Sequence, residues 1–158
     1  MSAHGDAMID GVILKPLRVI PDERGRLMEI LRRDDPFFTA FGQVYLTTTY
    51  PGVVKAWHCH ARQDDHVCCI RGAIKLALYD DRPDAPTLGA LQELFLGEAR
   101  PLLVRIPRGV WHGWKGVGTD EAFMLNCPSE PYDYAHPDEL RRPWDDPGIP
   151  YDWSLKMG

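Results

Sequence analysis

Between Val12 and Asn126 the apolar positions come in short runs broken by glycine, proline and acidic turns, a pattern that suits strands. The stretch VILKPLRVI, Val12 to Ile20, carries Pro16 and reads as an edge strand or a pair of short ones. Asp22 to Gly25 (DERG) is a turn, followed by a strand over Leu27 to Leu31. Residues 32–42 are irregular, with one helical turn expected around Phe37–Phe41. QVYLTTTY, Gln43 to Tyr50, is dense in β-branched and aromatic residues and predicts a strand.

Pro51-Gly52 turns the chain into a second strand, VVKAWHCH, and ARQDD after it reads as a loop. HVCCIRGAIKLALYDD predicts one or two strands interrupted at Arg71-Gly72, and LQELFLG and Leu102–Ile106 predict two more. Pro107-Arg108-Gly109 turns into VWHGW, and Glu121–Asn126 is the last clear strand. Residues 1–10 read as a loose lead-in. Residues 128–158 are polar, aromatic and proline-rich, which predicts an irregular ordered tail with one helical turn at His136–Arg141. Turn signals recurring about every eight to twelve residues predict an all-β sandwich or barrel, in one domain over 1–158.

Composition narrows the partners. At 44% hydrophobic and 26% charged residues the chain has globular proportions. A net charge of -5 gives no basic field, so neither nucleic acid nor an anionic membrane is an expected partner. MSAHGDAMID lacks a signal pattern, no apolar run approaches spanning length, and the four cysteines form no C-x-x-C pair. Reduced thiols and a cytoplasmic location are expected.

The chemistry concentrates in GVVKAWHCHARQDDHVCCIRG, Gly52 to Gly72, and in IPRGVWHGW, which holds His112. On a strand His58 and His60 share one face. Two surface histidines on a half-exposed strand would give the same pattern. G-x5-H-x-H-x4-D-x6-G and P-x-G-x2-H resemble the two motifs of cupins, jelly-roll barrels that often hold a metal; the ligands would then be His58, His60, Asp65 and His112. Alternatively the histidines do acid–base work with no cofactor: an imidazole takes a proton from the carbon beside a ketone, and a cation steadies the enolate.

Three segments in order, DERGRLMEI, GVVKAWHCH and IPRGVWHGW, are similar to the dTDP-4-dehydrorhamnose 3,5-epimerase family. The resemblance implies a cupin-type jelly-roll homodimer acting on a nucleoside-diphosphate 4-keto-6-deoxyhexose. It places the catalytic base on His58 and the second active-site histidine on His112. It also implies that Arg24 holds the diphosphate from a partner subunit, that Glu29 and Gln43 contact the nucleotide, and that Lys55 stands for an arginine beside the base. Gln63 is a further substrate-binding candidate. Strict alternation sets Lys55 on the face opposite His58, so this role requires a bulge.

Several positions depart from the family pattern. Its catalytic tyrosine falls on Leu125, leaving Tyr132 as the candidate substitute. Its orienting carboxylate lies in a C-terminal extension this sequence does not reach, its lysine falls near Asp65, and Arg26-Leu27 replace an aromatic pair. His60 is an addition, and the sugar-nucleotide 3,4-ketoisomerases carry such a His-x-His pair. The expectation is an epimerase with His58 as base, His60 as a second acid–base or orienting group, His112 and Lys55 on the enolate, and Asp65 polarising a histidine. The alternatives are a 3,4-ketoisomerase, a metal-dependent cupin, or a non-catalytic sugar-binding relative.

Overall fold

The alternating segments close into two five-stranded sheets packed face to face, a jelly roll, in the computed structural model, which describes residues 8–158. In chain order the strands are β1 (Ile13–Pro16), β2 (Val19–Asp22), β3 (Gly25–Met28), β4 (Tyr45–Thr49), β5 (Val54–Cys59) and β6 (Asp65–Arg71). They continue with β7 (Ala73–Asp80), β8 (Leu91–Gly97), β9 (Leu102–Ile106), β10 (Val110–Gly116), β11 (Ala122–Asn126) and β12 (Leu140–Arg141). One sheet has the order β1-β9-β6-β11-β4, the other β12-β5-β10-β7-β8, and β2-β3 forms a separate hairpin. Among the described residues there is no helix, and none is long and apolar enough to cross a membrane. Residues 1–7 of the expected lead-in lie outside the described residues, whereas Ile9 is buried.

Side-chain alternation decides what each face meets. On β6, Val67 and Cys69 enter the main core with Ile74, Leu76, Val104 and Met124, while Cys68 points the other way, onto Leu17 and Leu103. β6 gives way to β7 at Gly72, whose φ of 76° is left-handed, and a Cβ there would sit 3.0 Å from Ala122 Cα. Glycine is the residue that meets both demands. All four cysteines are free thiols.

As expected, the segment Val12–Ile20 forms a pair of short strands, β1 and the start of β2, with Pro16 ending the edge strand β1. Four expectations need correction. ARQDD is not loop throughout, because Asp65 already pairs with Ile106 and opens β6. The second hairpin strand ends at Met28 rather than Leu31, because Ile30 and Leu31 turn inward to cover Leu103 and Cys68. No helical turn forms at Phe37–Phe41. There Asp35 draws in Lys15 Nζ (2.7 Å) and the Arg32 N–H (2.8 Å), and Phe37 stacks on His66. None forms at His136–Arg141 either, where the chain becomes β12 and pairs Leu140 with Cys59 and Arg141 with His58.

The tail also does more than its composition suggests. Ile149 and Trp153 are buried with Trp57, Cys59, Ala77 and Trp111 on the outer face of the β5-containing sheet. Lys75 and Lys115 donate to the Ser154 and Trp153 carbonyls, both at 2.9 Å, and fasten it there. With one outer face covered in this way, the inner face of β5 is left to build a site.

Candidate active site

In antiparallel pairs, residues directly opposite share a face. His112 of β10 pairs with His58, and Trp114 pairs with Lys55. Two steps along β10 therefore match three along β5, a bulge at Ala56-Trp57 that turns Lys55 onto the face of His58. His60 follows on the same face. From the opposite sheet, the inward positions of β6 and β11 contribute Asp65 and Asn126. These side chains line one cavity of about 400 Å³, with Tyr132, Tyr134 and Asp138 of the tail as its outer wall. That volume is ordinary for a small-molecule site.

Asp65 is the hub. Its Oδ1 accepts from Gln63 Nε2 (2.8 Å) and Asn126 Nδ2 (3.0 Å), and its Oδ2 faces the Nε2 atoms of His60 (3.2 Å) and His112 (3.3 Å). Burial alone would raise its pKa. The bonds from His112 and His60 outweigh that and hold it well below the usual carboxylate range. His60 is the converse case: burial would lower it, but the bond to Asp65 and the nearby charges push it up to about 9. Its Nδ1 bonds to the Asp138 carbonyl, so both ring nitrogens face acceptors. His112 is tied in the same way, with Nδ1 3.1 Å from the Val110 carbonyl.

His58 stands apart. Its ring meets His112 and Trp114 edge-on, with centroids 5.0 and 5.4 Å away, and neither ring nitrogen has a hydrogen-bond partner among the described residues. Burial, then the neighbouring His112 and His60, lower its pKa to about 3, so it is neutral across the physiological range.

The remaining predicted residues divide. Lys55 Nζ donates to Thr47 Oγ1 (3.1 Å) and the Thr48 carbonyl (2.6 Å) at the cavity wall. Gln43 also lines the cavity, and its Oε1 accepts the Tyr132 N–H (3.2 Å). Arg24 and Glu29 are not brought to this cavity. Arg24 sits at the tip of the β2-β3 hairpin with its side chain 85% exposed and paired to Asp22, and Glu29 pairs with Arg32 beside a separate small hollow. Leu125 does not line the cavity; its neighbour Asn126 does. Asn126 and Asp138 were missed in the sequence. Alternation with Ala122 and Met124 could have flagged Asn126, while Asp138 gave no local signal.

His60, Asp65 and His112 offer ligand atoms within 4.8 Å of one another and are the group that could hold a metal ion. His58 lies outside this group, and the Asp65 carboxylate is already met by four nitrogen groups of the protein.

A jelly roll with a free imidazole, a buried carboxylate–imidazole unit and a lysine on one inner face has the makings of a cupin-fold proton-transfer enzyme. The family model described as dTDP-4-dehydrorhamnose 3,5-epimerase matches residues 6–158. The chain is 43% identical over 151 residues to the probable low-salt glycan biosynthesis epimerase Agl13 of Haloferax volcanii, covering 94% of this chain and 97% of that one. It is 39% identical over 150 residues to the spore coat polysaccharide biosynthesis protein SpsL of Bacillus subtilis, covering 95% and 99%. The crystal structure of the dTDP sugar isomerase from Desulfovibrio desulfuricans G20 superposes with a TM-score of 0.87 at 36% identity, over 92% of both chains. The protein belongs to the dTDP-4-dehydrorhamnose 3,5-epimerase family and is an isomerase of nucleotide sugars.

Proposed function

We propose that the protein epimerises a nucleoside-diphosphate 4-keto-6-deoxyhexose, with His58 as the base. The observation that carries this reading is the hydrogen-bonding of the three cavity imidazoles. His60 and His112 are engaged at both ring nitrogens, and His58 keeps an unshared lone pair for the substrate. His58 takes the proton from a carbon alpha to the C4 ketone, and the C–H electrons move onto the ketone oxygen as an enolate. Two Lys55 N–H groups go to Thr47 and Thr48, so the third is left to meet that oxygen. Reprotonation on the opposite face inverts the carbon, and the Tyr132 phenol in the outer wall is the donor.

The 3,4-ketoisomerase alternative needs His60 as a free second acid–base group, and its tied ring nitrogens count against that role. His112, expected on the enolate, is better placed to orient His58 and share Asp65. The reading includes a cytoplasmic homodimer in which residues 1–158 act as one catalytic unit and Arg24 serves the neighbouring subunit's cavity.

Incubation with a dTDP-4-keto-6-deoxyhexose in D2O, followed by proton NMR, tests the reaction. Deuterium entering at C3 or C5 with the ketone still at C4 is the expected result, and a ketone moved to C3 would replace the reading with ketoisomerisation. His58→Ala should abolish exchange with a melting temperature near that of the parent. Turnover should survive dialysis against a chelator; a stoichiometric transition metal lost in His60→Ala would restore the metal reading.

A further inference from the structure

We propose that Asp138 is a positioning residue for the reaction: it anchors the tail to the turn after β5 and fixes the ring of His60 against Asp65. The Asp138 carboxylate accepts three successive backbone N–H groups, from Ala61 (2.9 Å), Arg62 (2.8 Å) and Gln63 (3.1 Å). Its own carbonyl accepts Nδ1–H of His60. One residue therefore satisfies the turn that follows His60 and also fixes the orientation of that ring, which aims Nε2 at Asp65 Oδ2. The carbonyl cannot drift while the carboxylate is held at three points.

The neighbouring backbone reinforces the arrangement. Two residues further on, Leu140 and Arg141 pair with Cys59 and His58, so the tail grips β5 on both sides of the ring. Without Asp138, three N–H groups of the turn lose their acceptor, and nothing else in the contact set of His60 occupies Nδ1. Asp138 touches His60 rather than the reacting atoms, so it acts by placing the unit that holds His112 and flanks His58. This inference rests on the reading above, in which the His60–Asp65–His112 unit orders the site.

The test pairs a spectroscopic signature with a double-mutant cycle. In protein carrying 15N-labelled histidine, His60 should give a protected Nδ1–H signal that is lost in Asp138→Ala. Turnover in that variant should fall roughly 10- to 100-fold with KM changed less than about threefold, the scale expected for a misplaced catalytic group. In a His60→Asn background, Asp138→Ala should cost less than about twofold more, since the residue it positions is gone. An equal loss in both backgrounds, or an unchanged His60 signal in Asp138→Ala, overturns the proposal. Should that variant not fold, Asp138→Asn, which keeps one acceptor oxygen, must show a weakened signal and an intermediate rate. Full exchange activity in His60→Asn would remove His60 from the reaction and so refute the reading above; the NMR signal then decides the placement by Asp138.

Discussion

At the residue scale, the site separates three imidazoles by what surrounds them. His58 is neutral down to about 3 and His60 is raised to about 9, which sets two opposite pH windows. A histidine with a raised folded value contributes stability that is full below its ordinary 6.5 and lost as the pH rises through about 9. A histidine with a lowered value contributes stability that is present above 6.5 and lost as the pH falls toward 3. From these two groups, unfolding free energy should peak near pH 6.5, and urea titrations of His60→Asn should lack the alkaline decline. kcat/KM should likewise stay level through 6.5 on the acid side, because the free base does not protonate there; an acid limb near 6.5 would contradict the assignment of His58. Asp65→Asn leaves the imidazoles facing an amide in a site where Asp65 is 2% exposed. Breaking such a buried pair costs about 3 kcal/mol, to be read from the urea midpoint. Most of this cluster could be read in advance, His58 and His60 from strand alternation and Asp65 from the spacing of the cupin-like motif, although the strand that carries Asp65 was expected to begin one residue later. Asn126 was hidden behind the alignment of the family's tyrosine with Leu125, and Asp138 sits in a segment with no periodicity at all.

At the element scale, the β5 bulge is the feature that makes one surface out of Lys55 and His58. The sequence could state the requirement, since alternation placed the two on opposite faces, but it could not locate the extra residue. The structure puts it opposite Gly113, where β10 passes so close that a Cβ would lie 2.7 Å from Ala56 Cα and 2.9 Å from the Lys55 carbonyl. Gly113→Ala should therefore destabilise by about 1–3 kcal/mol through overpacking, and its larger effect should be on turnover, because the relief available is to move the bulge and Lys55 with it. A variant that loses stability but keeps full kcat would show that Lys55 need not stay where the bulge sets it. The strands themselves were legible from β-branched runs and glycine or proline breaks. The tail was not, since its contribution to packing comes from Ile149 and Trp153, isolated apolar residues among prolines and acids whose partners Trp57 and Trp111 are far away in sequence.

At the scale of the whole molecule, the cavity is short of one thing its proposed substrate demands. A nucleoside diphosphate brings negative charge, yet the acidic groups Asp65, Asp138 and Glu139 line the cavity, with Lys55 and His60 as the opposing charge. The arginine expected at the diphosphate is Arg24, which this chain holds away on an exposed hairpin whose Val19, Ile20 and Leu27 are also exposed. An arginine there serves a site only if the hairpin meets another copy. Complementation distinguishes a shared site from a self-contained one. Arg24→Ala should weaken nucleotide affinity enough to silence turnover at low substrate, and His58→Ala should abolish it. In a homodimer with crossed sites, mixing the two inactive variants and allowing subunit exchange gives mixed dimers in which one cavity carries both His58 and an Arg24 from the other chain. Roughly a quarter of parental activity should return, since about half the dimers are mixed and each has one complete cavity. If mixing restores no activity although exchange is demonstrated by a tag on one variant, Arg24 does not act across subunits and the diphosphate must be met by groups of the same chain.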